Sequence, residues 1–317
     1  MTKALITGIK GFAGSHLAEL LLAQGYCVAG LDHALDVAPS IEHIRDSLEL
    51  CECDLRDSGR LNEVVSLTKP DEIYHLAAIA HVPTSYRDVR LTFDVNLNGS
   101  LSLFEAVRSA DWDIKILYVG SASEYGDVRE EEIPIDEDVL LRPVDPYSAS
   151  KASADLLAYQ YFRSFDMHIV RVRPFNHIGP RQSPEYVVSS FAKQIAEIDK
   201  SLKAPVMIVG NLEARRDFTD VRDMVRGYWF ALQKGEPGEA YNICSGKAIS
   251  IREVVNRLLK LSEKEIKIEQ DVKRLRPADI PLLLGDSAKF RETTGWRLDI
   301  RFEKTLKDTL DYWGGRS

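Results

Sequence analysis

Short apolar runs rich in β-branched residues recur along the chain, each followed by a stretch whose apolar positions return every three or four residues. The runs "KALITG" (3–8), "CVAGLD" (27–32), "LELCECD" (48–54), "EIYHLAA" (72–78), "IKILYVGS" (114–121), "HIVRVRPFN" (168–176) and "AYNICSG" (240–246) predict strands. Between them, "GSHLAELLLAQG" (14–25), "RLNEVVSLTK" (60–69), "LTFDVNLNGSLSLFEAVRSA" (91–110) and "YSASKASADLLAYQYFRSF" (147–165) predict helices. Such alternation predicts an α/β fold, a Rossmann-type doubly wound parallel sheet with helices on both faces. After Pro174 the rhythm loosens, and helices are expected at 186–200, 251–262 and 304–313. The expected division is one domain over 1–177, its sheet completed by about 220–245, and a smaller α/β lobe from 178–219 and 246–317. No repeat or low-complexity tract interrupts this plan.

Composition narrows the classes. The 317 residues are 44% hydrophobic and 28% charged, as in ordinary globular proteins. A net charge of −8 speaks against a nucleic-acid partner. No run approaches the roughly 18 apolar residues of a membrane span, and the first strand begins too early for a signal peptide. The cysteines, Cys27, Cys51, Cys53 and Cys244, form no C-x-x-C pair, and the seven histidines show no ligand spacing. A cytoplasmic protein without a metal is expected.

Candidate chemistry begins at the first strand–helix turn. Gly8, Gly11 and Gly14 stand as G-x-x-G-x-x-G, where a chain must bend tightly and admit a pyrophosphate to a helix N-terminus. Asp32 ends the second strand, where a carboxylate accepts the adenosine ribose hydroxyls and repels a 2′-phosphate. NAD(H) is therefore favoured, with NADP(H) left open. Asp54 is placed either at the adenine edge or as the N-cap of the next helix. Phe12, Leu55, Leu76, Ala77 and Ala78 complete the candidate cofactor residues.

Tyr147 and Lys151, in "PYSASK", stand four apart on one helical face. A nearby ammonium favours the phenolate and lets the tyrosine exchange a proton near neutral pH. Ser121 adds a hydroxyl at the C-terminal end of a central strand.

With "HLAA" at 75–78, "NLNGS" at 96–100 and "RPFNHIGPRQ" at 173–182, these pieces make the chain resemble the extended short-chain dehydrogenase/reductase family along its whole length. "GNLEARRDFTDVRD" (210–223) and "RLRPADIPLLLGD" (274–286) are most similar to members that act on GDP-mannose-derived sugars. The resemblance implies that Ser121, Tyr147 and Lys151 are catalytic and that Lys151 also holds the nicotinamide ribose. It further implies that Asn176, Arg216 and Arg276 contact the sugar-nucleotide diphosphate, a role that suits arginine's bidentate donors. A homodimer formed by the helices near 97–110 and 147–165 is also implied, with Tyr159, Tyr161, Phe162 and Phe165 suited to the face.

Relatives that are 4,6-dehydratases carry a glutamate two residues after the active-site Ser or Thr. Here that position is Ser123, a candidate substrate contact, and Glu124 falls one residue later. In an extended segment the shift turns Glu124 to the opposite face, where a solvent-facing or ion-paired role is expected. The expected reaction is therefore reduction of the 4-keto group of GDP-4-dehydro-6-deoxy-D-mannose by NAD(P)H to GDP-D-rhamnose. A GDP-mannose 4,6-dehydratase is the alternative and a nucleotide-sugar 4-epimerase the third. A non-catalytic dinucleotide sensor would not need Ser121, Tyr147 and Lys151. A serine hydrolase lacks support because "GSASE" does not complete G-x-S-x-G.

Overall fold

Strand β1 (Lys3–Thr7) turns Ala4 and Ile6 to one face of a sheet and Leu5 to the other. That is the pattern of a strand buried on both sides. The structure, a computed structural model, describes residues 1–35, 38–271 and 281–315. Strands β2 (Cys27–Asp32), β3 (Leu48–Glu52), β4 (Glu72–His75), β5 (Lys115–Val119) and β6 (Ile169–Pro174) join β1. Strands β7 (Asn176–Ile178), β8 (Val206–Val209) and β9 (Arg215–Asp220) build a second region, and β10 (Ala240–Ile243) then returns to the first sheet. The seven-stranded sheet runs β10-β6-β5-β4-β1-β2-β3, parallel at every pairing. Strand order reverses between β1 and β4, which opens the crevice where α/β sheets bind ligands.

Helix α1 (Phe12–Ala23) packs Leu17 and Leu21 on one face of this sheet. The other face is covered by α2 (Ser58–Thr68) through Leu61, Val64 and Val65. Short helices α3 (Val82–Arg87) and α4 (Val89–Phe93) lead into a π-helical turn, Asp94–Asn98, and then α5 (Gly99–Arg108). The single helix expected over 91–110 is thus interrupted. The wider turn, a form common at functional sites, buries Asn96, whose amide bonds both the N–H and the C=O of Ile79 and the Ser150 hydroxyl. Helix α6 (Pro146–Phe165) joins α2 and α5 on that face; Tyr161 there is core, its ring tilted against Phe104 at 5.4 Å, whereas Tyr159 and Phe165 are exposed.

The second region holds α7 (Val187–Asp199), which packs against β8. Helix α8 (Val221–Lys234), absent from the expected elements, lies on the α1 face and buries Met224, Val225, Tyr228 and Leu232. Its Gly227 explains how close it sits: a Cβ there would meet Ile243 and the Trp296 ring at 3.2–3.3 Å. Strand β11 (Ala248–Ser250), helix α9 (Ile251–Leu259), strand β12 (Lys267–Gln270) and strand β13 (Leu282–Leu283) follow. Strand β9 is central to a small sheet with β11, β13 and β7, and β12 pairs β8. Helices α7 and α9 with α11 (Phe302–Gly314) enclose a separate apolar core around Phe191, Ile195, Val255 and Leu306. Helix α10 (Ala288–Thr294) leaves that region: Phe290 and Trp296 are buried in the core beneath the large sheet.

Candidate active site

The glycine turn is shaped by contacts only glycine permits. Gly8 has φ +73°, and a Cβ on it would stand 2.9 Å from the Ala77 Cα across the crevice. A Cβ on Gly14 would stand 2.2 Å from the Gly8 carbonyl oxygen. Gly11 is exposed and begins α1, whose N-terminus has no side-chain cap and no acidic residue in its first turn. That leaves the positive end of the helix open to an anion. Phe12 stacks on His177 at 5.7 Å, tying the turn to β7.

Asp32 is buried at the end of β2 and accepts from the main-chain N–H groups of Lys10 (3.2 Å) and His33 (3.0 Å). Thr7, paired with His75 across β1 and β4, holds the loop beyond β4: its hydroxyl accepts from the N–H of Leu76 and of Ala77. His75 bonds that hydroxyl at 2.8 Å and the Ser100 hydroxyl at 2.9 Å, and its complete burial pulls its pKa down to about 3. Ala78 continues this half-buried loop, and Leu55 is buried against Gly99. Asp54 instead bonds the Arg56 guanidinium, and the N-cap of α2 is Asp57, which accepts from Arg60 N–H. Of the two roles expected for Asp54, the N-cap one is therefore corrected. The cap lies three residues on, where α2 begins. An open helix end, a carboxylate at the tip of β2 and the tight Gly8–Ala77 approach fit a dinucleotide.

Beyond β5 the chain does not stay extended. Ala122–Tyr125 forms a 3₁₀ turn with Ser121 as its N-cap. The Ser121 hydroxyl accepts from Ser123 N–H at 3.2 Å, while Glu124 Oε1 accepts from Ser121 N–H at 2.7 Å. This reciprocal cap is the S-x-x-E capping box, visible in the sequence as Ser121-x-x-Glu124. The opposite-face argument for Glu124, which assumed an extended segment, therefore fails. Glu124 is fully buried and ion-paired with Arg173 (Oε2 to Nε 3.4 Å), not solvent-facing. Ser123, in contrast, is half-buried with its hydroxyl 2.6 Å from that of Ser121.

Asp145 caps α6 by accepting from Ser148 N–H, and Pro146 opens the helix, so Tyr147 sits in its first turn. Burial raises the Tyr147 pKa, and a hydrogen bond from Ser121 opposes the rise. One turn later, Lys151 donates to the Val119 carbonyl at 2.5 Å and lies 4.8 Å from the centre of the Tyr118 ring. Its pKa is drawn down to about 8 by burial, against the pull of Glu124 and Asp155. Ser121, Ser123, Tyr147 and Lys151 thus come together at the C-terminal edge of the sheet. The lysine ammonium is directed at the β5 carbonyl, and the strongest influences on Tyr147 are its burial and Ser121, not the lysine effect expected from four-residue spacing.

Asn176 and Arg216 lie on the paired strands β7 and β9: Asn176 is exposed, and Arg216 is half-buried and donates to the Arg215 carbonyl. Arg276 lies outside the described residues. Three groups near the site were not singled out beforehand. Tyr186, at the start of α7, acts electrostatically on Tyr147 and stands 5.9 Å from His81. Asp155 and Arg173 are buried beneath Ser121, with Arg173 Nη2 2.9 Å from Asp155. No spacing signal marks Tyr186, but Asp155 shares the Lys151 face of α6 at i+4. Among the described residues no cluster of His, Cys, Asp or Glu could hold a metal ion, and no helix is long and apolar enough to cross a membrane.

Comparison with known proteins accords with this geometry. The family model described as GDP-mannose 4,6 dehydratase matches residues 5–309. A GDP-6-deoxy-D-mannose reductase of Pseudomonas aeruginosa is 36% identical over 100% of this chain and 99% of its own. A GDP-mannose 4,6 dehydratase of Dictyostelium discoideum is 32% identical over 97% of this chain and 94% of its own. The solved structure of RMD from Pseudomonas aeruginosa complexed with NADPH superimposes with a TM-score of 0.88, at 33% identity and full coverage of both chains. The chain belongs to the GDP-mannose 4,6 dehydratase family, within the extended short-chain dehydrogenase/reductases.

Proposed function

We propose that the chain is a reductase that uses NAD(H) to convert the 4-keto group of GDP-4-dehydro-6-deoxy-D-mannose to a hydroxyl, giving GDP-D-rhamnose. The observation that carries this over dehydration is the group beside the Ser121 hydroxyl: it is Ser123, at 2.6 Å, where a 4,6-dehydratase places a glutamate. Removing the C5 proton and expelling the C6 hydroxyl needs an acid/base facing the sugar. Glu124 is sealed beneath the turn and does not face it. The full-length similarity to a GDP-6-deoxy-D-mannose reductase supports the same branch.

A bound nicotinamide would supply the hydride that reaches C4. Tyr147 donates its phenolic proton to O4 as the carbonyl becomes an alkoxide, and solvent restores that proton. The Ser121 hydroxyl donates a hydrogen bond to O4 and orients the ketone, with Ser123 steadying it. Lys151 keeps a positive charge one helical turn from Tyr147. Asp32 supports NAD(H), since its carboxylate stands where a 2′-phosphate would go; NADPH, present in the Pseudomonas structure, is the competing cofactor. Asn176, Arg216 and Arg276 bind the diphosphate in this reading, and the lobe from 178–219 and 246–317 holds the sugar nucleotide. The protein works as a homodimer, supported by exposed Leu101, Leu156, Tyr159 and Phe165 on α5 and α6, and a cytoplasmic setting belongs to the same reading.

The test pairs two incubations. With NADH and the 4-keto-6-deoxy sugar nucleotide, NADH is consumed and one GDP-6-deoxyhexose appears. GDP-mannose alone stays unchanged; its conversion to the keto sugar would assign the protein to the dehydratase branch instead.

A further inference from the structure

Beneath Ser121 lies a set of buried charges that the reduction itself does not consume. Glu124 is 0% exposed, and its two carboxyl oxygens are used differently. Oε1 accepts from Ser121 N–H at 2.7 Å, while Oε2 has no hydrogen-bond partner, although Arg173 Nε stands 3.4 Å away. The other two nitrogens of Arg173 are used elsewhere: Nη2 donates to Asp155 at 2.9 Å, which Arg171 also holds at 2.6 Å, and Nη1 donates to the Tyr125 hydroxyl at 3.2 Å, while Nε makes only the 3.4 Å ion pair with Glu124. A buried carboxylate oxygen without a donor is costly and calls for a purpose. Gly120 makes room for the carboxyl group, because a Cβ there would stand 2.4 Å from Glu124 Oε1, the oxygen bonded to Ser121.

We propose that Glu124 is a positioning residue for the catalytic set: it anchors the main chain of Ser121 and supplies the negative charge that Lys151 faces. This rests on the reading of Ser121, Tyr147 and Lys151 as the catalytic residues. The anchor follows from the reciprocal cap, which holds the serine hydroxyl at the mouth of β5. The charge follows from the surroundings of Lys151. The groups around it are His75 of β4, Tyr118 of β5, Glu124 of the turn, Tyr147 and Asp155 of its own helix, and Arg173 of β6. His75 is held neutral by burial and Tyr118 is held protonated, so neither offsets the ammonium. Asp155 shares its Oδ2 between two arginines, and its Oδ1, like Glu124 Oε2, has no hydrogen-bond partner; of the two carboxylates, Glu124 acts the more strongly on Lys151. Burial and the nearby Asp155 charge raise the Glu124 pKa, while Arg173 and Lys151 favour its ionised form. Glu124 in turn favours the ionised form of Lys151, so each charge supports the other.

The test follows Lys151 directly, by the 13Cε signal of lysine-labelled protein, with the peak missing in Lys151→Met giving the assignment. In Glu124→Gln the amide oxygen still accepts from Ser121, but the charge is gone. The Lys151 midpoint is expected to fall by about one pH unit or more, as when an opposite charge is removed at close range. The high-pH limb of kcat is expected to move down with it, while the KM for the keto sugar holds. Glu124→Asp retains the charge and should restore the limb. A role confined to packing would lower kcat at every pH without moving the limb, and an unmoved Lys151 midpoint overturns the proposal. Should the glutamine variant not fold, the unaltered protein decides: the Ser121 amide and the Lys151 13Cε signals are expected to inflect at one shared pH. A flat Ser121 amide, or separate inflections, overturns the proposal. Because the titrations need no substrate, a protein that fails to reduce the keto sugar would refute the assigned reaction and still leave the Glu124–Lys151 coupling measured.

Discussion

Tyr147 meets two opposed influences, burial that holds its proton and a Ser121 hydrogen bond that eases its release. A general acid that must give up a proton as O4 gains charge benefits from both, since it stays protonated until the alkoxide forms. Tyr147→Phe removes the proton and keeps the ring. Turnover is expected to fall by about a hundredfold or more, with nucleotide affinity nearly unchanged, as read by steady-state kinetics and a cofactor titration. At this scale, Tyr147, Lys151 and Ser121 were legible because each is a reactive side chain at a recognisable spacing. Glu124 was legible only as an identity. Its surroundings depend on Arg173 and Asp155, which come from β6 and α6 and meet only in the folded chain.

The two turns of the candidate site show what an element's sequence does and does not disclose. The β1–α1 turn could be read from its glycines, because Gly8 and Gly14 are required by a positive φ and by a main-chain contact within the turn itself. Gly14→Ala would push a methyl group against the Gly8 carbonyl oxygen. A stability loss of about 1–3 kcal/mol is expected, together with weaker nucleotide binding, checked by thermal unfolding with and without NADH. The turn after β5 reads in sequence as a continuation of the strand, although the S-x-x-E cap that bends it stands there too. Helix α8 is hard to read for a different reason: Asp223 and Gly227 interrupt its buried face. That face declares itself only against α1 and the sheet.

Across the whole molecule, the parallel sheet carries every candidate catalytic group to one edge, and its parallel pairing follows from the alternation seen along the chain. The second region was harder to read, because its short strands β7, β9, β11 and β13 are paired by contacts between distant segments. One buried group links the sheet to acid stability. His75 stays neutral down to about pH 3 in the folded protein, whereas an unfolded histidine takes up a proton near 6.5. The unfolded chain therefore binds the extra proton between those values, and this contribution to stability is lost as pH falls, at up to about 1.4 kcal/mol per pH unit. Denaturant unfolding from pH 6 to pH 4 is expected to show a shallower decline in His75→Gln than in the parent.

The central claim, hydride delivery to C4 without loss of water from the sugar, is tested most directly with NADH deuterated at the transferable position of the nicotinamide ring. With GDP-4-dehydro-6-deoxy-D-mannose as substrate, the account predicts a GDP-6-deoxyhexose carrying a single deuterium at C4, seen as loss of that proton signal by NMR. No deuterium at C4, together with conversion of GDP-mannose to the keto sugar in the absence of added NADH, would contradict it.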